Sequence, residues 1–159
     1  MHFLTLFTAK YLIAIIVLVA FAYWLTVPRK EKIRLAIFGL ITAVVAFALA
    51  KIGSALYFDP RPFVSHHVTP IYPHGPDNGF PSDHTLLSAV TALTVFSSSK
   101  RIGTFLMVLA VAVGAARVAG HIHSPIDIIG SIVFAAAGYV AAVWLTPHVQ
   151  KYLQKTENR

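Results

Sequence analysis

The sequence predicts an all-α fold: a single-domain, polytopic membrane helix bundle with about five transmembrane helices. Of its 159 residues, 57% are hydrophobic and only 12% are charged, whereas soluble domains carry about 25% charged residues. A chain of this length cannot bury so much apolar surface, so part of that surface must face lipid. The chain contains no cysteine, which excludes disulfide bonds and thiolate metal sites.

Five apolar stretches approach or exceed the ~20 residues that a helix needs to cross a hydrocarbon layer of ~30 Å. In lipid every backbone polar group needs a partner within the protein, so these stretches are predicted to be helices. They cover residues 11–27, 33–58, 82–98, 102–119 and 125–146. An alternative for the first stretch is a cleaved signal peptide, although Lys10 is the only basic residue close before it and Thr26-Val27-Pro28 is a poor cleavage site.

Basic residues set the expected orientation. They form three clusters: Arg29, Lys30, Lys32 and Arg34; Lys100 and Arg101; and Lys151, Lys155 and Arg159. All three follow odd-numbered stretches and so fall on one side, which the positive-inside rule predicts to be the cytoplasm. The C-terminus would then be cytoplasmic, and the loop at residues 59–81 would lie outside. Because the net charge of +7 arises from these clusters, it does not indicate a nucleic-acid partner.

Three groups of polar residues are expected at the outer ends of the helices. They are Lys51 with Arg61; Ser82, Asp83 and His84; and Arg117, His123 and Asp127. Arginine forks match phosphate oxygens, and helix N-termini attract anions. Asp127 follows His123 by one helical turn, so it can orient that imidazole as a nucleophile, while His84 can protonate a leaving oxygen. Each group also has a structural interpretation, as a helix cap or an interfacial anchor; their convergence on one face favours a site.

These residues resemble the type 2 phosphatidic acid phosphatase superfamily. Its signature is a lysine followed after six residues by Arg-Pro, then Pro-Ser-Gly-His, then Ser-Arg with a histidine and an aspartate at fixed spacings. Here Arg61-Pro62, Pro81-Ser82-Asp83-His84 and Arg117…His123…Asp127 match in the same order. The motifs lie between residues 51 and 127, about half of the chain.

The chain departs from that signature at three positions. Ser54 stands where the lysine is expected, and Lys51 lies three residues earlier, almost one turn deeper on the same helical face. Asp83 replaces the glycine and Ala116 replaces the serine. The Pro-Ser-Asp-His form, with Tyr-Phe-Asp-Pro-Arg-Pro-Phe at residues 57–63, resembles the bacitracin-resistance branch of bacterial undecaprenyl-diphosphate phosphatases. Relative to the six-helix plan of the membrane relatives, an N-terminal portion is expected to be missing.

The resemblance implies hydrolysis of undecaprenyl diphosphate to the monophosphate through a phosphohistidine, without metal or other cofactor, in a bacterial cell membrane. It implies that His123, His84 and Asp127 are catalytic and that the phosphate is bound by Arg61, Arg117, Ser82, Asp83 and Lys51. An alternative substrate is phosphatidylglycerol phosphate or phosphatidic acid, and a non-enzymatic alternative is an anion transporter. Against a transporter, the sequence has no internal repeat and its charges gather at one face.

The histidines of the long loop have no assigned role in this scheme. His66, His67 and His74, with Asp77, have the ligand types of a divalent-metal site, but their spacing follows no standard metal motif. They could instead contact the diphosphate or be solvated loop residues. The sequence leaves the oligomeric state open.

Overall fold

The computed structural model describes residues 2–157, including the side chains of residues 2–152. Within those residues the chain forms seven helices and no strand. They are α1 (His2–Lys10), α2 (Leu12–Thr26), α3 (Arg29–Leu56), α4 (Pro62–Ser65), α5 (Asp83–Phe96), α6 (Lys100–Ala119) and α7 (Pro125–Glu157). The expected all-α bundle is confirmed.

Helix α5 is the centre of the bundle, because it contacts α2, α3, α6 and α7. One of its faces joins α2 and α6 in an apolar cluster that includes Ile16, Ala92 and Leu106. Another face joins α3 and α7 in a second cluster that includes Leu86 and Ala135. Small residues allow this crowding, since half of the buried apolar residues in these two clusters are alanines. The rigid centre fixes the end of α5 that carries His84.

Within the part of the chain that the structure describes, three helices are long and apolar enough to cross a membrane: α3, α6 and the part of α7 from Pro125 to Tyr152. Helices α1 and α2 meet that criterion together, although they are bent by 49° at Tyr11. Helix α5 has 14 residues, which gives a length of about 21 Å. Three spans are therefore supported, or four with the bent pair, and five spans remain a prediction. Large apolar side chains project outward from the long helices; examples are Leu40, Trp144 and Val133.

The helix bounds differ from the expected ones mainly at the ends of the chain. Residues 2–10 form α1, which the sequence pattern did not predict, and α7 continues about three turns past Thr146 and through Pro147. The long loop contains the one-turn helix α4, which begins at Pro62. Proline favours a first helical position because its missing N–H would have no partner there.

The antiparallel course of the helices separates the two ends of the bundle. The basic starts of α3 and α6 lie at one end, where the Arg34 guanidinium donates to the Ser97 carbonyl at 3.3 Å. The end of α3, the starts of α5 and α7, and the end of α6 lie at the other. Lys151 belongs to the basic end; for Lys155 only the backbone is described, and Arg159 lies outside the described residues.

Candidate active site

Four helix ends and the long loop surround a polar cavity of about 450 Å³ at the end of the bundle opposite the basic clusters. Its volume lies within the range of small-molecule sites, about 300–1,000 Å³. The site residues that line it are Lys51, Arg61, Asp83, His84, Arg117 and His123, together with Ser54, His74, Asp77 and Asn78 from α3 and the loop. Residues from all three polar groups of the sequence therefore meet in one place.

His123 and Asp127 form a buried pair. The His123 Nδ1 lies 3.0 Å from Asp127 Oδ2, and the two side chains are 3% and 0% exposed. The same carboxylate oxygen accepts from the Ser124 backbone N–H at 2.9 Å, so Asp127 also caps the start of α7. One carboxylate oxygen thus both caps the helix and contacts the imidazole ring; the catalytic role of Asp127 stays a prediction.

The other nitrogen of His123 faces two arginines. Its Nε2 lies 3.3 Å from Arg61 Nη1 and 3.1 Å from Arg117 Nη2. A guanidinium can only donate hydrogen bonds, so Nε2 must be the unprotonated, accepting nitrogen and Nδ1–H must donate to Asp127. Burial lowers the pKa of His123; its hydrogen bond to Asp127 raises that pKa, and the charges of Arg117 and Arg61 lower it. The ring is therefore neutral near pH 7, with the Nε2 lone pair directed at the arginines.

Arg61 is buried, with 5% of its surface exposed, and the chain fixes it from several sides. Its Nε donates to Asp77 Oδ1 at 2.9 Å, and its Nη1 donates to the Ile122 carbonyl at 3.1 Å. The Arg61 hydrogen bond is the main reason why the pKa of Asp77 is lowered. The long loop thus orients this guanidinium through an ionised carboxylate.

Arg117 is 2% exposed and is held by parts of the chain that are distant in sequence. Its Nη1 donates to the Tyr72 hydroxyl at 2.7 Å and to the Ala9 carbonyl at 3.2 Å. Its Nη2 approaches His74 Nε2 at 3.5 Å. The sequence did not identify Tyr72 or Ala9, because one is a loop tyrosine and the other acts through its backbone.

Lys51 and Ser54 both line the cavity. Ser54, at the position of the signature lysine, accepts through its hydroxyl from the Asn78 side-chain amide at 3.2 Å. Asn78 also accepts from the backbone N–H groups of Asp59 and Phe80 at 2.9 and 3.0 Å. Ser54 therefore anchors the long loop to α3. Lys51 is exposed on the cavity wall, and its contact with phosphate stays a prediction.

The residues that open α5 divide into two sets. Asp83 and His84 line the cavity. Ser82 does not: it is 0% exposed, and the Thr85 hydroxyl donates to its hydroxyl at 3.2 Å. Ser82 occupies the N-cap position of α5 without a side-chain capping bond, so the expected capping role is not seen. Its role as a phosphate ligand stays a prediction.

The three histidines of the long loop do not lie together. His74 lines the cavity, whereas His66 and His67 are exposed on the loop. Among the described side chains, those of residues 2–152, no three His, Asp or Glu residues converge in a way that could hold a metal ion. His121 is exposed and adopts a left-handed backbone conformation with φ of 58° in the turn after α6. This turn carries the chain from the end of α6 to His123.

Comparison with known proteins agrees with the resemblance of the motifs. The PAP2 superfamily model matches residues 35–151. The "Bacitracin transport permease protein BcrC" of Bacillus licheniformis is 32% identical over 142 residues, 89% of this chain and 70% of that protein. The "Undecaprenyl-diphosphatase BcrC" of Bacillus subtilis is 34% identical over 133 residues, covering 81% and 66% of the two chains.

A third relative, the "Putative undecaprenyl-diphosphatase YbjG" of Escherichia coli, is 32% identical over 148 residues, 89% of this chain and 72% of that protein. No solved structure matches the chain. The family match covers all of the residues that line the cavity. The chain belongs to the PAP2 superfamily.

Proposed function

We propose that this chain hydrolyses undecaprenyl diphosphate to undecaprenyl phosphate and inorganic phosphate, through a phosphohistidine on His123. The observation that carries the proposal is the state of that ring. Its Nδ1 is hydrogen-bonded to Asp127, and its unprotonated Nε2 faces two buried guanidiniums. A neutral imidazole next to positive charge is suited to attack a phosphorus atom whose oxygens those charges bind.

In the first half-reaction, the His123 Nε2 lone pair attacks the terminal phosphorus. A nitrogen–phosphorus bond forms as the bond from phosphorus to the bridging oxygen breaks. Arg61 and Arg117 exchange their contacts with Nε2 for contacts with the equatorial oxygens, whose charge must be stabilised in phosphoryl transfer. Asp127 stabilises the positive charge that develops on the ring.

His84 is assigned the proton transfers. It lies on the cavity wall, at the start of α5. Burial and the charges of Arg117, His123 and His74 lower the pKa of His84 to about 4. The ring therefore takes up the proton that it donates to the departing lipid phosphate when the anionic diphosphate binds beside it and raises that pKa. In the second half-reaction it takes a proton from water, which attacks the phosphohistidine and releases inorganic phosphate. His123 then returns to its neutral form. This scheme uses only side chains of the chain itself.

The lipid substrate class follows from the setting of the cavity and from the relatives. The cavity wall is apolar on the side formed by Phe47, Ala50 and Phe80, and the surrounding helices expose apolar surface. The phosphate group of a lipid can therefore lie among the polar residues of the cavity while the lipid tail extends into the membrane. Two of the similar proteins have undecaprenyl-diphosphatase in their names.

We also propose an orientation in the membrane, in which the cavity faces the outside of the cell and the C-terminus faces the cytoplasm. It is supported by the distribution of charge, because the basic starts of α3 and α6 lie at the end of the bundle away from the cavity. The carrier lipid for cell-wall synthesis would then be dephosphorylated at the outer face of the membrane.

The substrate is tested by assaying purified protein in parallel on undecaprenyl diphosphate, phosphatidylglycerol phosphate and phosphatidic acid. We expect kcat/KM to be at least about tenfold higher for the diphosphate, a difference of about 1.4 kcal/mol. Equal or higher kcat/KM for phosphatidylglycerol phosphate would assign the chain to that reaction instead. Protein with His123→Ala serves as the blank for each substrate.

A further inference from the structure

The long loop contributes a third histidine to the cavity. His74 is half-buried and lines the cavity wall. Its Nε2 lies 3.5 Å from Arg117 Nη2, and its ring centroid lies 6.4 Å from that of His123. The same Nη2 atom contacts His123 at 3.1 Å. One arginine nitrogen therefore lies between the two imidazoles.

That arrangement suits two neighbouring phosphate groups. On the proposed mechanism, the terminal phosphate lies at His123 Nε2, between Arg61 and Arg117. A second phosphate group attached to the first can remain in contact with Arg117 on its other side, which is where His74 lies. The Tyr72 hydroxyl, 2.7 Å from Nη1, holds the guanidinium in this position.

His74 has the chemistry to respond to such a group. Its Nε2 faces the Arg117 guanidinium, which can only donate, so this nitrogen is unprotonated. Burial lowers the pKa of His74, and Arg61 and Arg117 lower it further, while Asp77 opposes them. His123 and His84 also face it. An entering diphosphate reverses the sign of the local charge, so that the ring can take up a proton and donate to a phosphate oxygen.

We propose that His74 binds the second phosphate group of a lipid diphosphate beside Arg117, and thereby favours lipid diphosphates over lipid monophosphates. This inference rests on the proposed hydrolysis at His123. It assigns to the long loop a part in substrate selection, which the superfamily motifs on the helix ends leave open.

The test compares two substrates with the same tail, undecaprenyl diphosphate and undecaprenyl monophosphate, on purified full-length protein. Glutamine cannot become positively charged. We therefore expect His74→Gln to lower the ratio of kcat/KM for the diphosphate to kcat/KM for the monophosphate by about tenfold or more, as loss of a charged hydrogen bond does. His74→Lys restores a positive donor and should recover at least part of the ratio. His66→Gln, on the exposed part of the same loop, should leave the ratio unchanged.

Binding of inorganic anions provides a second measurement that needs no turnover. Pyrophosphate should raise the melting temperature of the wild-type protein more than phosphate does, and His74→Gln should remove that difference. A retained difference, or an equal loss of kcat/KM on both lipids, would overturn the role of His74. Absence of lipid hydrolysis by the wild-type protein would instead reject the proposed function. The comparison of pyrophosphate with phosphate would still show whether His74 binds a second phosphate group.

Discussion

At the scale of single residues, the neutral state of His123 determines how activity should depend on pH. Burial is the largest cause of its lowered pKa. Because only the neutral ring can attack phosphorus, a lowered pKa keeps the nucleophile competent at more acidic pH than an ordinary histidine, whose pKa is about 6.5. Protonation of His123 should therefore reduce the activity of the free enzyme only below that value.

The measurement is kcat/KM against pH from about 4.5 to 8, since this parameter reports the pKa values of the free enzyme. We expect the acidic limb to have its midpoint below about 6.5. Asp127→Asn removes the carboxylate that raises the pKa of His123. It should move the limb to still lower pH and reduce the rate by about 10²- to 10⁴-fold, because the ring loses its orientation. A midpoint above 7 would contradict the neutral nucleophile.

The sequence predicted the contact between His123 and Asp127 from helical spacing, and it placed the two arginines near them because all of these residues fall at the outer ends of the predicted helices. An i, i+4 pair such as His123 and Asp127 meets wherever the intervening residues form one turn. The contacts of Arg117 with Ala9 and Tyr72 could not be predicted in this way. They join parts of the chain separated by 108 and 45 residues, and no local pattern encodes such distances.

At the scale of helices, the long apolar stretches were predictable from hydrophobic length, whereas the ends of the chain were not. Helix α1 has polar Thr5, Thr8 and Lys10 among its residues, so it lacks the uniform apolar pattern of a span. Its position is set by packing against α6, where Ala9 is fully buried. Helix α7 continues through Pro147, a residue type that usually ends or kinks a helix, so its length could not be predicted from the sequence.

Close contact between α3 and α7 depends on Gly138. A Cβ atom at this position would lie 2.4 Å from the Thr42 carbonyl oxygen, a backbone atom that cannot rotate away. We expect Gly138→Ala to force the two helices apart and to lower stability by about 1–3 kcal/mol. Thermal unfolding in detergent measures this loss. Ala137→Val, which adds volume at an exposed neighbouring position, is the control, and an unchanged melting temperature for Gly138→Ala would refute the close contact.

At the scale of the whole molecule, charge is divided between the two ends of the bundle. The starts of α3 and α6 carry the basic clusters, and the cavity lies at the far end with His84, His123 and the two arginines. This division was readable from the sequence because the basic residues lie between the apolar stretches. The sequence did not show which helices cross the bilayer, since α5 is apolar but short and surrounded by other helices.

The proposed orientation is tested with single cysteines, because the natural chain has none. We expect a cysteine placed at exposed His67 to react with a membrane-impermeant maleimide on intact cells. A cysteine at Lys30, in the basic cluster, should react only after the cells are opened. The reverse pattern would place the cavity in the cytoplasm.

The most direct test of the account is to trap the covalent intermediate on His123. Undecaprenyl diphosphate labelled with ³²P in its terminal phosphate is mixed with purified protein and quenched in alkali during turnover, since phosphohistidine survives base and is lost in acid. We predict base-stable, acid-labile label on the peptide that contains His123, none with His123→Ala, and undiminished label with His66→Ala. Substrate hydrolysis by His123→Ala at the wild-type rate, or label on another residue, would contradict the account.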